Sequence, residues 1–200
     1  VDIRDSTTLF TEEDKEKVAK IIRSFTSETI DVLNSSDLVR EIGIRGDCVY
    51  AIYTTPQKKD TYEIFLLAAT VNTLIKMLNI LLRRNGYERI QVGIGMSTAK
   101  ELVIKAGRKN KTELNSKVWI GNAVTKASKL SSLGNKVVAN ALVISNTTYG
   151  NIIDELEKNA KGKFPKDWFN KVEDVNFGTY YHGYVVIIEF DKWIDENISK

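Results

Sequence analysis

Apolar positions divide the chain into short strand-like runs separated by two long helical stripes. Val18, Ile21, Ile22, Phe25 and Leu33 recur at helical intervals, which puts them on one face of a helix. Ahead of them, Thr11-Glu12-Glu13-Asp14 reads as a helix start: a hydroxyl cap, then acids near the positive end of the dipole. Ile64, Leu67, Ala68, Val71, Leu74, Ile75, Leu78 and Leu81 form a second, longer stripe. Arg83, Arg84 and Gly86 close it, since basic last-turn residues and a following glycine mark helix C-termini. Between the stripes, Leu38–Arg45 and Cys48–Tyr53 predict two strands joined at Gly46-Asp47, a hairpin signal. Pro56 ends the second run. Val1–Ile3 predicts the end of a strand, and Ile90–Met96 and Leu102–Ala106 predict two more.

This order, β-α-β-β-α-β with a further strand, is that of a ferredoxin-like βαββαβ core. It implies an α+β fold, an antiparallel sheet with helices on one face. Downstream, Gly107–Lys117 reads as a polar loop, residues 119–133 as a helix stopped by Gly134, and Lys136–Asn140 as a strand. Ser145–Leu156 reads as helical, and residues 158–170, with Gly162 and Pro165, as irregular. Tyr180–Phe190 predicts an extra C-terminal strand and residues 191–198 a short terminal helix. With no repeat, low-complexity stretch or linker, residues 1–200 form a single domain. The chain opens inside a strand without an initiator Met, which predicts further residues upstream.

Composition narrows the function classes. The 29 basic and 26 acidic residues leave a net charge of +3, too balanced for nucleic acid or an anionic membrane as the main partner. Cys48 is the only cysteine, which excludes an internal disulfide and cysteine-built zinc clusters; a reduced, cytoplasmic setting fits. His182 is the only histidine, so no histidine cluster exists, and it reads as an ordinary strand residue. The longest apolar runs, such as Ile64–Ala69 and Tyr184–Ile188, fall short of the roughly 20 residues of a membrane span.

Two acids carry the candidate chemistry. Asp2 adjoins one strand and is followed by the hydroxyls of Ser6, Thr7 and Thr8; Asp47 sits in the hairpin. Spaced carboxylates of this kind suit hard divalent cations, which take one or two carboxylates plus substrate phosphates.

Four segments then line up in order: Val-Asp-Ile-Arg-Asp-Ser-Thr (1–7), Arg-Gly-Asp-Cys-Val-Tyr-Ala (45–51), Val-Gly-Ile-Gly-Met-Ser-Thr (92–98) and Trp-Ile-Gly-Asn-Ala-Val-Thr-Lys-Ala-Ser-Lys-Leu (119–130). Together they resemble the class III nucleotidyl cyclases, the adenylate/guanylate cyclase catalytic domain, over about residues 1–150. Val143-Ile-Ser-Asn-Thr-Thr-Tyr149 resembles the serine-to-tyrosine segment after that family's dimer helix. Leu102-Val-Ile-Lys-Ala-Gly-Arg-Lys109 with the Trp119 segment is most similar to the pyrimidine cyclases of bacterial Pycsar anti-phage systems, which make cyclic UMP or cyclic CMP.

The resemblance implies the class III cyclase fold and attack of a ribose 3′-oxygen on the α-phosphorus of a nucleoside triphosphate, releasing pyrophosphate with two divalent cations, Mg²⁺ or Mn²⁺. It implies that Asp2, Asp47 and the carbonyl of Ile3 bind metal. Ser6, Thr7 and Thr8 would wrap the triphosphate, a role compatible with helix capping, and Lys136 would contact it as a point charge. Thr125 and Lys129 stand where the family usually has Asn and Arg, four residues apart. Lys129 keeps the charge but loses the bidentate fork, so the expectation is retained but altered catalysis. Gly43 and Val118 occupy the base-reading positions and neither pairs with a purine edge, which tilts selection toward UTP or CTP. Arg45 and then Tyr50 are the alternative base readers, the latter competing with a core role. Lys105, Arg108, Lys109 and Lys111 form a basic run, a solvated loop or a phosphate contact. Cys48 is expected to be buried and inert. The family's shared site implies a homodimer, and the product implies a separate cyclic-nucleotide-sensing effector. An adenylate or guanylate cyclase with unusual base contacts, and an inactive cyclase-like dimerisation or regulatory module, are the competing readings.

Overall fold

The computed structural model describes residues 1–6, 15–108, 111–160 and 163–199. Thr7, Thr8, the helix start Thr11–Asp14, Lys109 and Gly162 lie outside the described residues, as do the side chains of Arg108 and Lys111. In chain order the elements are β1 (Asp2–Ile3), α1 (Lys15–Leu33), β2 (Val39–Arg45), β3 (Cys48–Tyr53), α2 (Lys58–Arg84) and β4 (Val92–Met96). There follow β5 (Leu102–Arg108), β6 (Lys111–Ile120), α3 (Ala123–Ser131), β7 (Leu142–Ser145), α4 (Asn146–Asn159), a 3₁₀ turn (Pro165–Trp168), β8 (Phe169–Asp174), β9 (Gly178–Gly183) and α5 (Ile188–Asn197).

Seven strands form one sheet in the order β2-β3-β1-β4-β7-β9-β8, and β5-β6 form a separate ribbon. The first four strands are the expected ferredoxin-like core, antiparallel throughout. Beyond β4 the sheet continues with β7, which is parallel to it, and then with the antiparallel pair β9 and β8.

Period-two alternation assigns the two sheet faces. Ile3, Val49, Val92, Ile94, Leu142 and Ile144 point into the main core with Ile21, Phe25, Phe65, Leu74 and Leu78 of α1 and α2. Helix α2 alone among the described helices is long and apolar enough to cross a membrane. Its buried positions from Ile64 to Leu82 line this core, so it is a core helix. The close of α2 matches its sequence signals: Gly86 takes φ 75°, and Tyr87 N–H donates to the Leu82 carbonyl at 2.9 Å.

The opposite face is covered by α3, which corrects the expectation of helices on one face only. A Cβ on Gly93 would lie 1.9 Å from the Ser131 carbonyl oxygen, and one on Gly95 1.9 Å from that of Ala127. The two glycines let the backbone of α3 lie directly on β4. Leu130, Leu133, Val143 and Tyr180 form a second, smaller core there.

Other differences have local causes. The segment expected as a polar loop, Gly107–Lys117, continues the strands of a ribbon whose register runs from Leu102↔Ile120 to Arg108↔Lys111. Its polarity reflects a ribbon outside the main sheet. Trp119 and Ile120 end β6, so the helix expected over 119–133 starts only at Ala123. Lys136–Asn140 is a turn, not a strand: Asn135 takes φ 52°, and one isolated bridge joins Gly134 to Val138. The strand is β7, which begins two residues after Asn140 and is wholly buried. Phe169–Asp174, which starts within the last two residues of the stretch expected to be irregular, is β8. The C-terminal strand expected over Tyr180–Phe190 ends at Gly183, where the backbone passes close to the Trp168 carbonyl. The chain then crosses α2, with Val185 accepting from Asn72 Nδ2 and Ile187 N–H donating to Thr73 Oγ1, both at 2.9 Å. Helix α5 begins at Ile188.

Candidate active site

Strand register brings the two acids to one face. Asp2 pairs with Cys48 on one side and Gly93 on the other, and Arg45 pairs with Cys48, Gly43 with Tyr50. Residues opposite one another share a face, so Asp2, Cys48, Tyr50, Glu41, Gly43 and Arg45 all stand on the side away from the main core. Gly46, at φ 61°, makes the tight turn that presents Asp47 beside them. Withdrawal from water pushes the Asp2 carboxyl above its ordinary range; Arg4 opposes the rise and the nearby charge of Asp47 adds to it. The two carboxylates therefore act on each other across the β1–β3 boundary.

Arg4, two residues beyond Asp2, is buried and ion-paired with the Asp2 carboxylate. It also donates to the Asp2 backbone carbonyl at 3.2 Å and to the Ser132 carbonyl at 3.1 Å. It thus ties the first acid to the end of α3. Sequence reasoning passed over Arg4, although its same-face spacing to Asp2 was legible. Cys48 is half-buried rather than buried, and desolvation raises its thiol pKa. Such a thiol is a poor nucleophile.

At the β2–β3 end, the Tyr50 ring lies over the Cα of Gly43. A Cβ on Gly43 would stand 2.4 Å from Tyr50 ring atoms, so glycine here makes room for the aromatic. Tyr50 is half-buried, not a core residue. Its hydroxyl donates to Glu41 Oε1 at 2.9 Å, and this bond chiefly raises its pKa. The Arg45 guanidinium lies 6.0 Å from the Tyr50 ring centroid, at the outer range of a cation–π contact. From β6, Trp119 Nε1 donates to Glu41 Oε2 at 2.8 Å. Val118, the adjacent ribbon residue, is exposed. Glu41 and Trp119 were not anticipated; the two-residue spacing of Glu41 from Gly43 was the available signal.

Thr125 and Lys129 are both exposed on α3. Among the described residues no hydrogen bond or ion pair joins either side chain to Asp2 or Asp47. Lys136 is also exposed, on the turn after α3. Asn135 Nδ2 fastens that turn to the Val92 carbonyl at 2.9 Å. Ile3 buries its side chain in the core, leaving only its carbonyl for a ligand. Ser6 is half-buried, and Asp5 before it takes φ 52°, a turn geometry Asp tolerates. Lys105 is exposed on β5. His182 is an ordinary strand residue on β9, its Nδ1 2.7 Å from Asn140 Oδ1.

The donor set fits a divalent ion. Two mutually repelling carboxylates and a carbonyl are hard oxygen ligands, and a cation between them would remove the repulsion felt by Asp2. Among the described residues no cluster of three or more His, Cys, Asp or Glu competes as a metal site. Apolar side chains of the ribbon, including Leu102 at 62% and Ile120 at 47% exposure, are left uncovered.

The family profile described as the adenylate and guanylate cyclase catalytic domain matches residues 1–165. A protein named uridylate cyclase from Treponema porcinum is 49% identical over 99% of this chain, which spans 66% of that relative's length. Another of that name, from Gulbenkiania mobilis, is 26% identical over 98% of the chain and 79% of its own length. The crystal structure of the adenylyl cyclase CyaB from P. aeruginosa superposes with a TM-score of 0.69 at 20% identity, covering 91% of this chain and 89% of that one.

Proposed function

Since the chain belongs to the adenylate and guanylate cyclase catalytic domain family, we propose that it is a uridylate cyclase, forming 3′,5′-cyclic UMP and pyrophosphate from UTP. The observation that carries the pyrimidine assignment is the Tyr50 ring over Gly43. It occupies the space in which a purine-reading side chain at position 43 would stand. The names of both relatives agree.

In this reading Asp2, Asp47 and the Ile3 carbonyl hold two divalent cations, Mg²⁺ or Mn²⁺. When bound, these ions acidify the ribose 3′-hydroxyl and neutralise the β- and γ-phosphates. The 3′-hydroxyl releases its proton to solvent, the O3′–Pα bond forms as the bond from Pα to the bridging oxygen breaks, and the electron pair leaves with pyrophosphate. Ser6, Thr7, Thr8 and Lys136 hold the triphosphate. Thr125 orients the ribose, and Lys129 offsets charge on the α-phosphate in the transition state. Arg45 and Val118 flank the base beside Gly43 and Tyr50. Thr125 and Lys129 make no hydrogen bond or ion pair with Asp2 or Asp47 among the described residues, and in this reading they act in the site of a second copy. The uncovered apolar ribbon is then the surface a homodimer buries. The product serves a separate effector in anti-phage defence.

Incubation with Mg²⁺ or Mn²⁺ and each of the four ribonucleoside triphosphates in turn, with products identified by mass, tests the assignment. Cyclic UMP is expected as the main product. Cyclic AMP or cyclic GMP alone would overturn the pyrimidine reading, and no product from any nucleotide would favour an inactive module.

The raised pKa of Asp2 adds a pH signature. A carboxyl with a raised folded pKa keeps its proton to higher pH than in the unfolded chain, so the charged form needed for metal is lost early on acidification. Manganese binding followed by calorimetry is therefore expected to weaken as pH falls, beginning above the ordinary aspartate range of about 4. Asp2→Asn is expected to abolish that dependence together with most of the affinity.

A further inference from the structure

We infer that Glu41 is a positioning residue for base selection, a clamp that fixes Tyr50 over Gly43 and locks the ribbon against it through Trp119. The inference rests on the reading of Tyr50 as the wall of the base site and gives that wall a support. Glu41 stands on β2 two residues from Gly43, on the same face, diagonal to Tyr50 across the strand pair. Its two oxygens are divided between two donors: Oε1 takes the Tyr50 hydroxyl at 2.9 Å and Oε2 the Trp119 indole N–H at 2.8 Å.

The division matters because of what each donor controls. The tyrosine ring, pinned at its far end, cannot swing away from Gly43 to admit a larger base. Trp119 belongs to β6, which among the described residues pairs with β5 and with no strand of the main sheet. Its bond to Glu41 therefore orients a ribbon that the sheet ladder does not fix, and with it Val118, the neighbouring base-site position. Hydrogen bonds to a charged acceptor are worth more than neutral ones, enough to hold one orientation over another by about tenfold or more. With each oxygen engaged by one of these donors, Glu41 acts through Tyr50 and Trp119.

Side-chain chemistry distinguishes a clamp from simple filling. A glutamine at this position can still serve both partners, accepting from Trp119 through its oxygen and donating to the Tyr50 oxygen through its amide. A methionine fills the same space and serves neither.

The test compares kcat/KM for UTP with that for ATP in the full chain and in Glu41→Met, Glu41→Gln and Trp119→Phe. Binding of the non-cyclisable 3′-deoxy-UTP and 3′-deoxy-ATP is measured alongside by calorimetry. Glu41→Met is expected to lower the UTP-to-ATP ratio about tenfold or more, in KM and in analogue binding, with kcat at saturating UTP changed less than about threefold. Trp119→Phe is expected to lower it by a smaller factor, and Glu41→Gln to retain most of it. An unaltered ratio in Glu41→Met, or in Trp119→Phe should the former fail to fold, would overturn the clamp. So would a fall in kcat with the ratio intact. A wild-type chain that prefers a purine would overturn the pyrimidine reading and the clamp together, whereas a UTP preference left unmoved by Glu41→Met would overturn the clamp alone.

Discussion

A chain carrying Asp47→Ala and a chain carrying Lys129→Ala, each reduced about 100-fold or more on its own, are expected to recover about a quarter of wild-type turnover when mixed in equal amounts and allowed to exchange. The fraction follows from counting. Half of the dimers become mixed, and in each mixed dimer one site receives both defects while the other receives neither. The structural ground is that the two residues stand on different elements. Asp47 stands on the β2–β3 turn, whereas Lys129 is exposed on α3 and bonds to no acid of its own chain among the described residues. Recovery of nothing, with dimers present by sedimentation, would mean that each chain completes its own site.

Gly95→Ala is expected to cost about 3 kcal/mol or more of stability and, for a domain of this size, to lower the thermal midpoint by about 6–12 °C. The new methyl would meet backbone on two sides, the Ala127 carbonyl oxygen at 1.9 Å and the Ser131 amide nitrogen at 2.4 Å. A flexible side chain can yield to such a contact, but a helix backbone packed on a sheet yields only by moving as a whole. Because α3 bears Thr125 and Lys129, turnover should fall beyond what unfolding explains. Gly150→Ala is the matched control: it lies in α4 with nothing within 4 Å of an added Cβ, so it should raise stability by about 1 kcal/mol. Differential scanning calorimetry of both variants decides the point; equal midpoints would show that α3 can lift from β4 freely.

The parts of the fold that were legible are those with long repeats of one period. The stripes of α1 and α2, the β2–β3 hairpin and the Gly86 stop each carry enough positions for the pattern to stand out. What escaped was short or unpartnered. Strand β7 offers four residues, all buried, and has no alternation to read. Of the β5–β6 ribbon, β5 was expected over Leu102–Ala106 but β6 was not, because a ribbon outside the main sheet need not carry the apolar-in, polar-out pattern. Helix α5 begins in the apolar run Tyr184–Ile188, where a strand and a helix look alike over so few residues. In the site, Asp2, Asp47 and Gly43 could be found from local motifs. Arg4, Glu41 and Trp119 could not be assigned partners, because their roles depend on register and on packing between elements far apart in sequence.

Register also gives the two-residue strand β1 a significance out of proportion to its length. Along it, Asp2 faces the open side of the sheet and Ile3 is 3% exposed in the core. Sliding β1 by one residue would exchange them, sending a carboxylate into the interior and the isoleucine into water. No intermediate arrangement exists, so misplacement of the acid is all-or-none, and the penalty for it falls mainly on the hydrocarbon beside it. Aim at this centre is thereby delegated to Ile3, whose side chain never meets the substrate.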